Sequence, residues 1–353
     1  MRSRIKPNGN ISTTHECSVI CGPIGCAVDF VCRLLHLKII SLKKPLQIGL
    51  CNKALNYKKN FLLRMIMSKK FEDFNNPREK ALQGMKDSIP ASQWEENLQF
   101  LKQLRNKIAQ LPVSKHPAIE ILNNGYLDKQ TLTRIHLEYR HAIVQIFTDA
   151  LLKAQFLTKQ LEPKLHSGAK MFPRVLLSLN ILDEFGFRPG LDKDHYYLGN
   201  PEYAHYPLYE DLLNDYGLTE ADRRNYKPSK IADQVRTFLE ASYDRYINVV
   251  ALLAVAEEEV ILFSPPLRQA TKFVNIDVKG GGYYHVHGVS TDETAEAADD
   301  DHQDDLWFAL AQAITKDDYE SLTQLCLDYC ALWTEFWDAQ IADVQFIEEK
   351  KLA

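Results

Sequence analysis

The side chains in this sequence best equipped for chemistry are carboxylates and imidazoles spaced three or four residues apart on otherwise apolar stretches. Carboxylate oxygens with imidazole nitrogens suit a non-haem iron or manganese ion. Helical proteins assemble such sites from inward-facing side chains on several helices. Residues three or four apart share a helix face, so spacing is the criterion. In "IHLEYRHAIVQIF", Glu138 and His141 are three apart, with Tyr139 and Ile143 beside them. Taken alone, this pair fits a surface glutamate with a half-buried histidine as well as it fits a metal half-site. "VLLSLNILDEFGF" is nearly all apolar until Asp183 and Glu184. A helix C-terminus disfavours an anion, so Glu184 is either a solvated helix end or a ligand whose cost a bound metal offsets. His205 opens the helix in "NPEYAHYPLYEDLL". That position favours neutral imidazole with a free lone pair, which suits a ligand; a capping or loop histidine is the other reading.

The most unusual stretch is "YYHVHGVSTDETAEAADDDHQDDLWFAL". Asp292, Glu296, Asp299 and His302 are spaced four, three and three apart, near one helical face. A run of this kind is ordinarily a solvated acidic face. Here "DDLWFALAQAI" follows at once and must be buried, so the spacing fits a metal half-site better. His285 and His287 precede it and alternate, so at most one points inward if that piece is extended. "AVAEEEVILF" places Glu257, Glu258 and Glu259 on a long apolar helix, where one of the three is expected to face the core. There is no phosphate-binding loop and no dinucleotide fingerprint, and "KGGGYY" lacks the strand-to-helix context a phosphate loop needs. No Gly-x-Ser-x-Gly nucleophile elbow is present.

Helical periodicity positions these residues. Ser92 is expected to cap a first helix, with Glu95 as its capping-box partner. Asp128 caps a second that runs to about Leu161. A third spans about Gly168 to Phe185, with Gly186 as its stop. Residues 187 to 203 read as a loop. Further helices are expected from His205, from about Ile231 to Phe263 (ending before Pro265 and Pro266), from Thr291 or Asp292 to about Ile314, and from about Tyr319 to Glu349. No convincing strand pattern appears. The predicted layout is all-α, a compact helical bundle.

The chain has 353 residues, 45% hydrophobic and 25% charged, an ordinary globular composition. Residues 1–66 carry 11 Lys/Arg against 2 Asp/Glu, and the remainder 31 against 45, a net of −14. The acidic body argues against nucleic acid as a partner. Five of the seven cysteines (Cys17, Cys21, Cys26, Cys32 and Cys51) lie in the basic stretch. That stretch lacks zinc-ligand spacing and a clean signal peptide. We expect 1–66 to stand outside the fold, with translation starting at Met65 or Met67, and 67–353 to form one helical domain. Cys326 and Cys330, four apart on a helix, read as packed thiols, consistent with a reducing compartment. With no clean membrane span either, the expected location is the cytoplasm.

The order of motifs resembles the haem-oxygenase-like diiron oxidases, also called iron-containing redox enzymes, over roughly residues 92 to 315. These motifs are a helix with Glu138, a helix ending in "DEFG", a His before "PLYEDLL", and a late Asp-x-x-His. The resemblance implies a haem-oxygenase-like bundle and puts the ligand roles on Glu138, Glu184, His205, Asp299 and His302. Two departures stand out. The interval from Glu184 to His205 is long, and Ala295 with Glu296 beside it occupies the position where the family has another His. Glu296 is therefore carried as a further ligand candidate, and His141, His287 and Asp292 as substitutes. The implied chemistry is O2 activation by one or two Fe(II) ions, with Mn as an alternative, to oxidise a small organic substrate. The resemblance implies no nucleic-acid or membrane partner and leaves a homodimer open. The rival reading is a helical binding module of the same fold that has lost its metal.

Overall fold

A computed structural model of the chain describes the backbone of residues 76–278, 282–286 and 298–352 and, within the last stretch, the side chains of 304–342. The elements are α1 (Pro77–Asp87), α2 (Ala91–Ile108), α3 (Pro117–Asn123), α4 (Lys129–Tyr139), α5 (Phe147–Leu157), α6 (Met171–Glu184), a hairpin of β1 (Phe187–Leu191) and β2 (Tyr197–Gly199), α7 (His205–Asp215), α8 (Glu220–Asn225), α9 (Lys230–Glu240), α10 (Tyr246–Phe273), the single turn α11 (Tyr283–Val286), α12 (Ala298–Ala313) and α13 (Tyr319–Leu352). The architecture is all-α apart from this small antiparallel hairpin.

α10 is the axis. Every residue from Val249 to Glu257 is buried, as expected of a helix that is apolar on all sides. It packs against α3, α5, α12 and α13, while α6 packs against α1, α5 and α12. No described helix is long and apolar enough to cross a membrane. Cys326 and Cys330 are buried free thiols in α13, and burial pushes the Cys330 thiol up to about 12.

Several boundaries differ from the sequence expectations, each for a local reason. α1 precedes the helix expected to come first. Ser92 does not cap α2, which starts after the extended Pro90 without a side-chain cap. Asp128 does cap α4, its carboxylate accepting from the Thr131 N–H at 2.7 Å. The long helix expected after it is interrupted by a π-helical turn, Arg140–Val144. The helix expected from Ile231 to Phe263 is two helices. Gln160 is one reason for the break: its Oε1 accepts from the Tyr246 N–H at 2.8 Å and its Nε2 donates to the Asp244 carbonyl at 2.7 Å.

α10 also does not stop at its prolines. Pro265 and Pro266 lie inside it. Each proline removes one helical hydrogen bond, to the carbonyl four residues back. Those carbonyls belong to Ile261 and Leu262, which are partly exposed, while Phe263, Pro266, Leu267 and Ala270 are buried. Tertiary burial thus outweighs the roughly 3 kcal/mol propensity cost of an interior proline.

Candidate metal centre

The end of α6 and the start of α7 meet because the chain between them turns back on itself. Gly186 takes φ +77° just beyond α6, a left-handed conformation that glycine adopts without penalty. Its carbonyl accepts from the Asn200 N–H at 3.1 Å, closing the base of the hairpin. A Cβ at this position would lie 2.5 Å from the Asn200 carbonyl oxygen. The hairpin therefore loops out and returns His205 to Glu184.

His205 Nδ1 lies 2.9 Å from a Glu184 oxygen, and Nε2 lies 3.7 Å from an Asp183 oxygen. Glu184 and His205 are both buried. With the ring proton on Nδ1, shared with Glu184, the lone pair resides on Nε2. A carboxylate on one ring nitrogen is the usual way of fixing the tautomer of a metal-binding histidine. It also offsets the cost of an anion at a helix C-terminus.

Glu184 and His205 line a cavity of about 20 Å³ together with Glu257 of α10 and Tyr283 of α11. That volume suits one water or one ion. Ile143, Val144, Phe147, Tyr206 and Val260 complete the wall. Ile143 and Val144 come from the π-helical turn, a feature often found at functional sites. The Tyr206 hydroxyl is held by Arg140 at 3.1 Å and Gln145 at 3.3 Å. Tyr283 packs edge-on against Tyr209, with ring centroids 4.6 Å apart. It also lines an open cleft of about 430 Å³ with Asp211, Asp215 and Asp277.

Glu257 is the residue the sequence reading passed over. The glutamate run was visible, but one buried member was expected and two are found. Glu257 and Glu259 are both buried, and Glu258 pairs with Arg105 at 3.1 Å. Glu257 accepts a 3.1 Å hydrogen bond from Asn180 Nδ2. Asn180 Oδ1 is buried with no hydrogen-bond partner among the described residues. The donor set lining the cavity, two carboxylates and an imidazole, matches in kind what a hard divalent ion takes. Among the described residues, no three His, Cys, Asp or Glu side chains are disposed to hold an ion.

Similarity to known proteins is low. No protein family and no curated protein matches the sequence. Among solved structures, a TenA homolog from Pseudomonas syringae pv. tomato is similar at 12% identity, with 70% of this chain and 93% of that one covered and a TM-score of 0.46. A CADD-like protein of unknown function from Nostoc punctiforme is similar in two structures. The identities are 16% and 15%, covering 70% of this chain and 98% and 97% of the other, with TM-scores of 0.49 and 0.45.

Of the residues expected from the sequence, Glu184 and His205 come together. Glu138 is not among the residues lining the cavity. It is buried against the start of α9, where its carboxylate accepts from the Ser229 N–H at 3.0 Å, the Ser229 hydroxyl and the Tyr226 hydroxyl. Ser229 caps α9, so the carboxylate braces a helix N-terminus, where negative charge is favoured. His141 faces the same helix, 3.3 Å from Asp233. Asp299 and His302 fall on α12, in a part where only the backbone is described. His287, Asp292 and Glu296 lie outside the described residues, as does the expected leader.

His136 is no substitute ligand. Its Nδ1 lies 2.7 Å from the Leu132 carbonyl and its Nε2 2.6 Å from the Tyr284 hydroxyl. Burial pulls its pKa down to about 4, so it is a neutral, fully engaged ring.

Proposed function

We propose that this chain is a non-haem iron oxidase that uses O2 to oxidise a small organic substrate, with its metal bound at the cavity between α6, α7 and α10. The observation that carries the reading is the buried Glu184–His205 pair, 2.9 Å apart, in one cavity wall with Glu257. The residues that would hold the metal are His205, through Nε2, and Glu257, with Asp299 and His302 of α12 added from the motif resemblance; Glu184, hydrogen-bonded to the opposite ring nitrogen, would orient His205. Glu138, committed to α9, is left out of this set. Bound Fe(II) would supply reducing electrons and open coordination positions; Mn is the alternative ion.

The chain's own groups have definable tasks. Glu184 holds the proton of His205 at Nδ1 and so presents the Nε2 lone pair. Ile143, Val144, Phe147 and Val260 keep bulk water away and lower the local dielectric, which strengthens electrostatic interactions within the cavity. Tyr283, shared with the wider cleft, stands where a substrate entering from that side would meet the cavity.

The second reading is a helical binding module without metal. It is favoured by the absence, among the described residues, of three side chains disposed to hold an ion. Anaerobic loading with Fe(II), followed by metal analysis of the desalted protein, separates the two. One or two irons per chain are expected from the oxidase, and none from the binding module.

A further inference from the structure

Among the described residues, six of the eleven exposed large apolar side chains fall between Phe185 and Tyr203, the segment that holds the hairpin. They are Phe185, Leu191, Tyr196, Tyr197, Leu198 and Tyr203, with Tyr196 and Tyr197 73% and 72% exposed. Leu191 and Tyr197 are cross-strand partners, and the Tyr197 ring meets the Phe187 ring edge-on with centroids 6.5 Å apart. Phe187, Leu191 and Tyr197 thus form an apolar strip on one face of the hairpin. An aromatic side chain carries about 150–250 Å² of surface, so the six together present on the order of 600 Å². That is at the upper end of what a monomer exposes in one patch, about 300–600 Å². A two-stranded hairpin is marginally stable on its own in water, and both strands here are almost wholly exposed.

The charge of the segment selects the partner. It carries Arg188 and Lys193 against Asp192, Asp194 and Glu202, a net of −1, whereas residues 67–353 carry a net of −14. Two copies of this acidic chain repel least where the patch faces its own counterpart. Across a two-fold axis, cations and anions of the two copies are available to pair. A nucleic acid or an anionic membrane would demand a cationic face. Two copies would together bury on the order of 1,200 Å², above the roughly 1,000 Å² of a specific interface. The face, not the strand edges, is the docking element. Pro189 lacks an N–H, the pairing is irregular between Arg188 and Leu191, and β2 has only three residues.

We propose that the apolar face of the hairpin is the interface of a homodimer, in which two copies pack their hairpins together about a two-fold axis. The base of the hairpin returns His205 to Glu184, so the second copy also steadies that pair. The inference is independent of what the cavity holds.

The experiment measures the mass of the full chain by sedimentation equilibrium over a micromolar concentration series, for wild type, Tyr197→Lys, Tyr196→Lys and Phe156→Lys. Phe156, on α5, is exposed outside the hairpin and serves as the control. Wild type is expected to sediment as a dimer. Tyr197→Lys should weaken self-association at least about 10-fold, as loss of an interface aromatic does, with helical content by circular dichroism unchanged. Phe156→Lys should match wild type. If Tyr197→Lys disturbs folding, Tyr196→Lys decides by the same criteria. A monomeric wild type overturns the inference, and so does a dimer that both tyrosine variants leave intact. Dissociation by Phe156→Lys alone would put the interface on α5 and overturn it too. A monomeric chain that co-sediments with phosphatidylserine vesicles would assign the patch to a lipid surface instead.

Discussion

Glu184 and His205 meet at 2.9 Å across 21 positions of sequence, each at the terminus of its own helix and each buried. A charge-assisted hydrogen bond in such a place is worth about 1.5–3 kcal/mol. A double-mutant cycle with Glu184→Gln and His205→Gln in the metal-free protein should therefore give a coupling energy above about 1 kcal/mol in urea denaturation. Strict additivity of the two single changes would mean that the pair is not formed in solution.

Two of the three described buried glutamates outside this pair, Glu257 and Glu138, should separate cleanly. Glu257→Gln is expected to lower iron stoichiometry after anaerobic loading while leaving helical content unchanged, and so is His302→Ala. Glu138→Ala should leave iron uptake intact. It should destabilise the fold by on the order of 3 kcal/mol, because it orphans the Ser229 N–H, the Ser229 hydroxyl and the Tyr226 hydroxyl. Lost iron with unchanged stability in Glu138→Ala would return that residue to the ligand set.

Gly186 is the hinge on which the pair depends. An alanine there meets both an unfavourable positive φ and the Asn200 carbonyl oxygen at 2.5 Å from its Cβ. The expected cost is at least about 2 kcal/mol. Because the same turn returns His205 to Glu184, iron affinity should fall with it. A Gly186→Ala protein that melts and binds iron like wild type would show that the hairpin base is not needed.

The acid–base behaviour of the core has a defined sign. Glu259 accepts hydrogen bonds from Tyr139 at 2.7 Å and Trp337 at 2.9 Å, yet burial pushes its carboxyl from 4.5 up to about 8. The folded state holds that proton more tightly than the unfolded one. The associated stability is fully present below pH 4.5 and is lost as pH rises towards 8. Each pH unit across this interval costs about 1.4 kcal/mol. Glu259→Gln should flatten the decline. His136 has the opposite sign: with its pKa lowered from 6.5 to about 4, its contribution is present above 6.5 and lost as pH falls. Stability measured from pH 4.5 to 8.5 should thus decline on the alkaline side in wild type only. Parallel curves for the two proteins would contradict the buried-acid assignment.

Much of the fold was legible because apolar periodicity is a local signal. Asp128 at its cap, Gly186 at its stop and the helix opening at His205 are each decided by a few neighbouring residues. What escaped was decided at a distance. Gln160, some 85 positions away, sets where α10 begins, and the burial of its flanks carries that helix through Pro265 and Pro266. The hairpin carries no strand signal in the sequence because its strands are almost wholly exposed and so lack alternating polarity. In the candidate site, the closeness of Glu184 and His205 depends on that hairpin. The placement of Glu257 depends on the roll of α10, which a run of three adjacent glutamates leaves ambiguous.

That run has a mechanical consequence. Consecutive residues of an α-helix project about 100° apart, and the three glutamates engage four neighbours on four different helices. Glu257 reaches Asn180 of α6, Glu258 reaches Arg105 of α2, and Glu259 reaches Tyr139 of α4 and Trp337 of α13. A roll of a few tens of degrees would break all these contacts together, because no direction of rotation improves one without sacrificing the others. α10 is thus indexed like a keyed shaft, with one angular setting. Whatever binds beside Glu257 meets a carboxylate whose bearing was fixed when the bundle closed.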